Sequence, residues 1–286
     1  MNLDALFASG FDGVMLGFVY GLAAMGLALI FGVMRVINLA HGAIMMLGMF
    51  TVYFLTRQAG INPYIGLLIA LILGLVFGIV MYLVAVHRVI NAPELTTLLA
   101  TFSVNLMIIG IATPAFTTTP RALDLNMGSL TLGVTTVPGT KFIAALIAIA
   151  VAASLYFLLY RTRTGKSIRA VANNRAAAEL MGINSTRSLA LSFGIGAMLA
   201  MASGVLIATL FSFNPLSGTA FQIKSFVIII LGGIGNPTGA LIGGIVLGLL
   251  EGVTTVYIPV GWVPVIEYII FVAILMVKPT GLFGGR

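Results

Sequence analysis

Apolar runs of membrane-spanning length alternate with short polar connections along almost the whole chain. They occupy about residues 11–33, 40–56, 64–86, 96–116, 141–160, 188–211, 239–257 and 262–277. An α-helix needs about 20 apolar residues to cross the hydrocarbon core, so each run is read as a span. A further run, SFVIIILGGIG (Ser225 to Gly235), is too brief for an ordinary crossing. The sequence that closes it, GGIGNPTG (Gly232 to Gly239), breaks any helix through Gly and Pro. Such backbone persists at membrane depth only where protein or a water-filled cavity surrounds it. The pattern predicts an all-α polytopic membrane protein with about eight to nine spans, forming a single transmembrane domain over residues 1–286, with a short or broken helix near 225–238.

Between the fourth and fifth runs, residues 117–140 (TTTPRALDLNMGSLTLGVTTVPGT) are Thr-rich, with Pro and Gly near the ends, and LTLGVTTV alternates as a short strand would. A small extracytoplasmic cap is expected there, with a flexible linker as the alternative. Small residues recur at helix-packing spacing in Gly17/Gly21, Gly74/Gly78, Gly194/Ala197/Met201, Gly239/Gly243 and Gly244/Gly248. In lipid, such faces let helix backbones approach closely, which predicts a tight bundle and a subunit interface. Gly-rich turns after Leu29 and Leu231 hint at two related halves without establishing a repeat.

Composition strengthens the membrane reading. Hydrophobic residues make up 60% of the chain and charged residues 7%, and the mean hydropathy is +1.17; a soluble domain holds about 25% charged residues. The net charge of +7 does not point to nucleic acid, because the cations are thinly spread except around 161–187. With the N-terminus outside and every run crossing, the inner segments hold Arg35, Arg88, Arg161, Arg163, Lys166, Arg169, Arg175, Arg187, Lys278 and Arg286. Arg57, Arg121, Lys141 and Lys224 fall outside, so the positive-inside rule favours this orientation. No Lys or Arg precedes the first run, and the N-terminal stretch MNLDALFASGFDG carries Asp4 and Asp12, so that run is expected to be a retained span and not a signal peptide. The chain has no cysteine, which excludes thiol catalysis and Cys-based metal sites.

In this apolar setting, RAVANNRAAAELMGINSTR (Arg169 to Arg187) carries three arginines, a glutamate and three asparagines. IRAVA can form a short helix from Ser167; Asn173 and Asn174 can end it and cap a second one, RAAAELM, and Gly182 suits the left-handed position that closes a helix. Its alanine-rich surface fits a helix docking into a groove on another protein, whereas a merely solvated loop would hold more Glu, Lys and Ser. Residues 161–187 are thus expected to be a cytoplasmic loop that docks on another protein, the part that the resemblance given below implies is the coupling loop.

The remaining motifs are weaker. In INLAHG (Ile37 to Gly42), at the inner end of the first run, Asn38 is read as the cap of the second helix. His41 has no second His, Asp or Glu nearby in sequence, so a packing role is preferred to a metal ligand or pH switch. GGIGNPTG lacks the nucleotide-fingerprint spacing; it is either a tight turn or flexible backbone along a pathway. Glu251 and Glu267 are the acidic residues well inside the last runs, and intramembrane carboxylates are functional candidates. HExxH, GxSxG, paired catalytic carboxylates and a Walker motif are all missing from the sequence, so neither an enzymatic reaction, a cofactor nor ATP binding is expected of this chain.

Several segments together resemble permease subunits of bacterial ABC importers of the branched-chain amino acid family, of the H type: GLALIFGVMRVINLAHGAIMMLGMF, the RAVANNRAAAELMGI loop, FVIIILGGIGNPTGALIGGIVLGLLE and VKPTGLFG. The resemblance covers nearly the whole chain. It implies a permease driven by two cytoplasmic ATPase subunits, paired with a second permease, homologous or identical. An extracytoplasmic substrate-binding protein would deliver leucine, isoleucine, valine or related amino acids, in the bilayer of the bacterial inner membrane. It also implies ATPase coupling through Arg169, Ala170, Asn173, Ala177 and Gly182. Relatives often carry an acidic pair where Asn173 and Asn174 stand. Asn38, Gly235, Asn236 and Glu251 are expected along the translocation path, with no metal site. The alternatives are a urea or short-amide permease of the same family and, from another class, an ion-coupled carrier using Glu251 and Glu267; a membrane scaffold is a third.

Overall fold

The computed structural model describes residues 3–278 apart from Asn126, Gly133 and Val134, together with Gly281. Most of the C-terminal KPTGLFG motif and Arg286 lie outside the described residues. Among the described residues, six helices are long and apolar enough to cross a membrane: α1 (Leu3–Met34), α3 (Pro63–Met81, prolonged by a π turn at Tyr82–Val86), α4 (Glu94–Phe116), α5 (Gly139–Arg161), α8 (Ser185–Ala208) and α10 (Pro237–Tyr257). The runs at 40–56 and 262–277 and the short run give α2 (His41–Ala59), α11 (Val263–Val277) and α9 (Ser217–Gly232). α9 starts eight residues before the predicted Ser225, because the polar stretch SGTAFQIK is helical as well. Two short helices, α6 (Arg163–Asn173) and α7 (Arg175–Leu180), fill the polar segment between α5 and α8.

The expected cap is structured. Strands β1 (Ser129–Leu132) and β2 (Thr135–Pro138) pair antiparallel, with Leu130 opposite Val137. Lys141 at the start of α5 binds Asp12 of α1 at 2.7 Å, and Arg121 bridges the backbone of Phe213. The Arg121 guanidinium lies 5.0 Å from the Tyr53 ring centroid, with Phe50 and Phe54 also within cation–π range. Cap and bundle therefore meet through specific contacts, unlike a flexible linker.

The bundle consists of two related units, α1–α2–α3 and α8–α9–α10. In each, the chain leaves the first helix as an irregular segment and then turns at an asparagine. Asn38 Oδ1 accepts from the Ala40 N–H at 3.1 Å, and Asn214 Oδ1 accepts from the Leu216 N–H at 2.9 Å. Four residues after each asparagine stands a glycine, Gly42 in α2 and Gly218 in α9, and the two touch; a Cβ on either would collide with the carbonyl oxygen of the other. The second and third helices are then joined by matching turns: Gly60 (φ 64°), Asn62 and Pro63 in one, Gly235 (φ 82°), Asn236 and Pro237 in the other. In both, the asparagine caps the third helix and proline occupies its first turn.

The first helix of each unit lies antiparallel to the third helix of the other. Gly13, Gly17 and Gly21 of α1 face Gly248, Gly244 and Leu241 of α10; Gly74 and Gly78 of α3 face Met198 and Gly194 of α8. Gly26 meets Leu199 while Ile30 meets Gly196, so α1 and α8 are antiparallel too and the units are inverted. The small-residue faces are thus consumed within the chain, which corrects their expected role between subunits. The related halves are real, but their register is set by the asparagine turns, not by the glycines after Leu29 and Leu231.

One consequence concerns depth. His41 Nε2 bonds the Ala23 carbonyl at 3.0 Å, roughly 16 Å before the end of α1 at 1.5 Å per residue. The segment between them, residues 35–40, runs back into the bundle, so α2 starts inside it and not at its inner face. Irregular backbone there must be paired. The Thr101 hydroxyl of α4 accepts from the Leu39 N–H at 3.2 Å and lies 3.0 Å from the Ile37 carbonyl, positioned to donate.

Candidate coupling element and intramembrane polar groups

The polar segment is ordered by side-chain caps. Thr162 accepts from the Gly165 N–H at 3.1 Å, so α6 starts at Arg163 and not at Ser167. Gly165, Ile168 and Val171 bury one face of α6 against the bundle, and the other is exposed. Arg169 turns back: its Nε donates to the Leu159 carbonyl at 3.1 Å, and its guanidinium stacks 4.7 Å from the Tyr160 centroid. Asn173 ends α6 and is exposed, so the hinge is Asn174 alone, in extended backbone, whose Oδ1 accepts from the Ala177 N–H at 3.0 Å.

α7 is closed by two backbone bonds, Gly182 N–H to Glu179 carbonyl at 2.9 Å and Ile183 N–H to Ala178 carbonyl at 3.0 Å, with Gly182 at φ 79°. That is a Schellman closure. Glu179 accepts from the Ser185 hydroxyl of α8 and from Arg175 at 3.2 Å. These donors, Ser185 first, hold the Glu179 carboxyl below its ordinary range. Arg175 also reaches Asn91 at 3.3 Å. Ala178 packs inward, whereas Ala170 is half-buried and Ala177 is exposed. Beyond the alanines the helix presents Leu180, 89% exposed, and Met181, 82% exposed. Sequence reasoning missed this apolar tip; the signal was the Leu-Met pair immediately before Gly182.

The four residues expected along a path are not brought together. Asn38 is fully buried beside the Thr101-bonded segment, and its Nδ2 has no partner among the described residues. It does not cap α2, whose N-cap is Ala40; His41 begins that helix two residues later than a cap at Asn38 requires. Asn236 caps α10 by accepting from the Gly239 N–H at 3.1 Å. It lines a 340 Å³ cavity with Gly235 and Arg169. Glu251 stands elsewhere, 2.7 Å from Lys224 Nζ.

The alternation of runs places Lys224 in an outer connection just before Ser225, and the structure corrects this: it lies on α9 inside the bundle, 18% exposed. Its ammonium also lies 3.4 Å from Glu267 of α11 and 4.5 Å from the Tyr20 ring centroid. One cation therefore joins α1, α9, α10 and α11.

Inverted helical units, helices that begin inside the bundle and a braced polar element define a multi-pass membrane transport component. The family model for the branched-chain amino acid transport system permease component matches residues 10–277, and the chain belongs to that family. It is 30% identical over 294 residues to the high-affinity branched-chain amino acid transport system permease protein LivH of Salmonella typhimurium, covering 96% of this chain and 94% of the relative. Against LivH of Escherichia coli (strain K12) it is also 30% identical, over 296 residues. With BraD of Pseudomonas aeruginosa, carrying the same description, it shares 26% identity over 288 residues.

Proposed function

We propose that this chain is the membrane permease of an ABC importer for branched-chain amino acids, and that α6 and α7 receive the work of ATP hydrolysis from cytoplasmic ATPase subunits. The observation that carries the reading is the exposed Leu180–Met181 tip on a helix fixed at both ends by Asn174 and Gly182. A rigid apolar tip transmits displacement; a frayed one would absorb it. The tip is tied to α8 through Glu179 and Ser185, and α8 is the first helix of the second unit. Motion at the tip would therefore rotate one unit against the other and alternate access across the membrane.

The same reading supplies the finer topology: nine segments, α1 to α5 and α8 to α11, with the N-terminus and the cap outside and α6–α7 in the cytoplasm. The cap receives a substrate-binding protein, and a second permease, identical or homologous, completes the pathway in the bacterial inner membrane. Lys224 ties α9 to Glu251 of α10 and Glu267 of α11, which favours a bracing role over proton or sodium coupling.

Ala177→Arg and Leu180→Glu test the coupling. Each should leave the chain inserted and folded, release the ATPase on copurification and abolish ATP-driven leucine uptake. Retained ATPase with normal uptake in both variants would sink the assignment.

A further inference from the structure

Three cavities follow one another around the inner end of α1. The first, of 160 Å³, is wholly apolar, between Leu27 and Phe31 of α1, Ile37, and Ile230 and Ile234 of the second unit. Phe31 and Ile234 are succeeded in the chain by Gly32 and Gly235, which touch each other and line the next cavity, where Arg169 stands. That cavity shares Gly32, Val33 and Ala172 with a third, of 240 Å³, flanked by Arg35 and Arg175. An apolar groove thus leads to a basic trough under α6, and no acidic side chain lines any of the three.

The arginines are not equally engaged. Arg169 is held by Leu159 and Tyr160, and Arg175 by Glu179 and Asn91. Arg35 makes no side-chain hydrogen bond or ion pair with any described residue. It occupies left-handed backbone at φ 52°, with its N–H on the Phe31 carbonyl, so it closes α1 in a conformation that costs an ordinary residue energy. Glycine would close the helix more easily. The position instead keeps at the mouth of the trough a guanidinium with no partner among the described residues.

We propose that this groove and trough form a binding site for one anionic phospholipid, its acyl chain along Phe31, Ile230 and Ile234 and its phosphate on Arg35. A guanidinium fork matches phosphate oxygens, and basic pockets between helices at the cytoplasmic face suit anionic headgroups. The lipid would join the end of α1 to α6 and α7, tying the coupling element to the bundle. The site rests on the proposed orientation only for which leaflet supplies the lipid.

The test uses the full chain in neutral detergent, where sidedness plays no part, so its failure is separate from failure of that orientation. Phosphatidylglycerol and phosphatidylcholine with the same acyl chains are compared by native mass spectrometry and by the midpoint of thermal unfolding. One phosphatidylglycerol should stay bound at concentrations where phosphatidylcholine washes away, and it should raise the midpoint. Arg35→Gly should lose about fivefold of that preference, while its midpoint without lipid stays equal or rises, because glycine accepts φ 52° freely. Ile234→Glu, on the exposed rim of the groove, should weaken retention without changing the protein alone. Equal retention of both lipids, an undiminished preference in Arg35→Gly, or the same midpoint shift from tail-less glycerol phosphate would overturn the proposal.

Discussion

The two inverted units share a backbone plan and differ in how each holds its inner helix. In the first, α2 is held by neutral hydrogen bonds: His41 to Ala23, Thr101 to the segment before it, Asn38 to Ala40. In the second, the matching Asn214–Leu216 bond opens α9, but the helix body is held by charge, with Lys224 between Glu251 and Glu267. Gln222 of α9 crosses between them, accepting from the Gly42 N–H at 3.2 Å. A neutral network fixes one register, because every donor needs its own acceptor. An ion cluster is less directional and tolerates sliding of the helices it joins. The first unit is thus built as a fixed frame and the second as the part that can shift, which agrees with α7 being braced against α8.

The largest test of that contrast removes the cation. Lys224→Met leaves two carboxylates inside the bundle with no countercharge, and breaking a buried ion pair on one side costs about 3–5 kcal/mol. Folded permease recovered in detergent should fall sharply. The triple change Lys224→Met, Glu251→Gln, Glu267→Gln should recover most of it. It is also the proper test of ion coupling, since Glu251→Gln with Glu267→Gln alone would strand the lysine. If the triple variant folds and still supports ATP-driven uptake, the charges are a brace; folded protein with no uptake would return them to the pathway.

Gly42→Ala and Gly218→Ala come next. Either methyl meets a backbone carbonyl at the contact between units, and overpacking of this kind costs about 1–3 kcal/mol. Both should lower the unfolding midpoint. If the first unit is the frame and the second the part that shifts, Gly218→Ala should retain more uptake than Gly42→Ala, and the reverse order would break the comparison.

Much of this was legible in the sequence and some was not, for identifiable reasons. Apolar runs mark crossings because hydrocarbon admits little else; LTLGVTTV, which alternates as one short strand would, belongs instead to two paired strands. The Asn-Gly turns were invisible as a repeat because NLAHG and NPLSG share only their first and last residues. Nothing local says that α2 starts inside the bundle; that follows from Ala23 and Thr101, far away in the chain. Lys224 was misplaced because the apolar run begins only at Ser225 and leaves it in the connection, whereas its partners come from two later helices. The start of α6 was missed because RTRTGKS reads as interfacial anchoring, which hides the cap at Thr162. Gly182 was legible as the residue that closes a helix, whereas the return of Arg169 onto α5 depends on Leu159 and Tyr160, which no local pattern announces.

Asn38→Ala and Asn214→Ala probe the matching turns at lower cost. The first loses the bond from the Ala40 N–H; the second loses those from the Leu216 N–H and the Ser217 hydroxyl, in a partly exposed turn where water replaces them, each bond being worth about 1 kcal/mol. Asn38 is fully buried and Asn214 is not, so the first change should lower the unfolding midpoint more than the second. Equal shifts would mean that the two turns carry the same load and that the units are held alike.

The smallest effect is expected from pH at the joint between α7 and α8. The Glu179 carboxyl is held below its ordinary range, first by the Ser185 hydroxyl and then by Arg175. A group whose folded value is depressed lends stability that is fully present above its unfolded value and is lost as pH falls through the folded one. The brace should therefore be intact at neutral pH and loosen on acidification below the ordinary carboxylate range. Protease cleavage within 174–186, measured against pH, should rise there in the native chain. Glu179→Gln should show the higher cleavage at neutral pH already, with its acid dependence flattened. The side chain is exposed, so the change should be confined to this joint and leave the unfolding of the bundle unmoved; a shift of the whole bundle would place Glu179 in the core of the second unit, not at its handle.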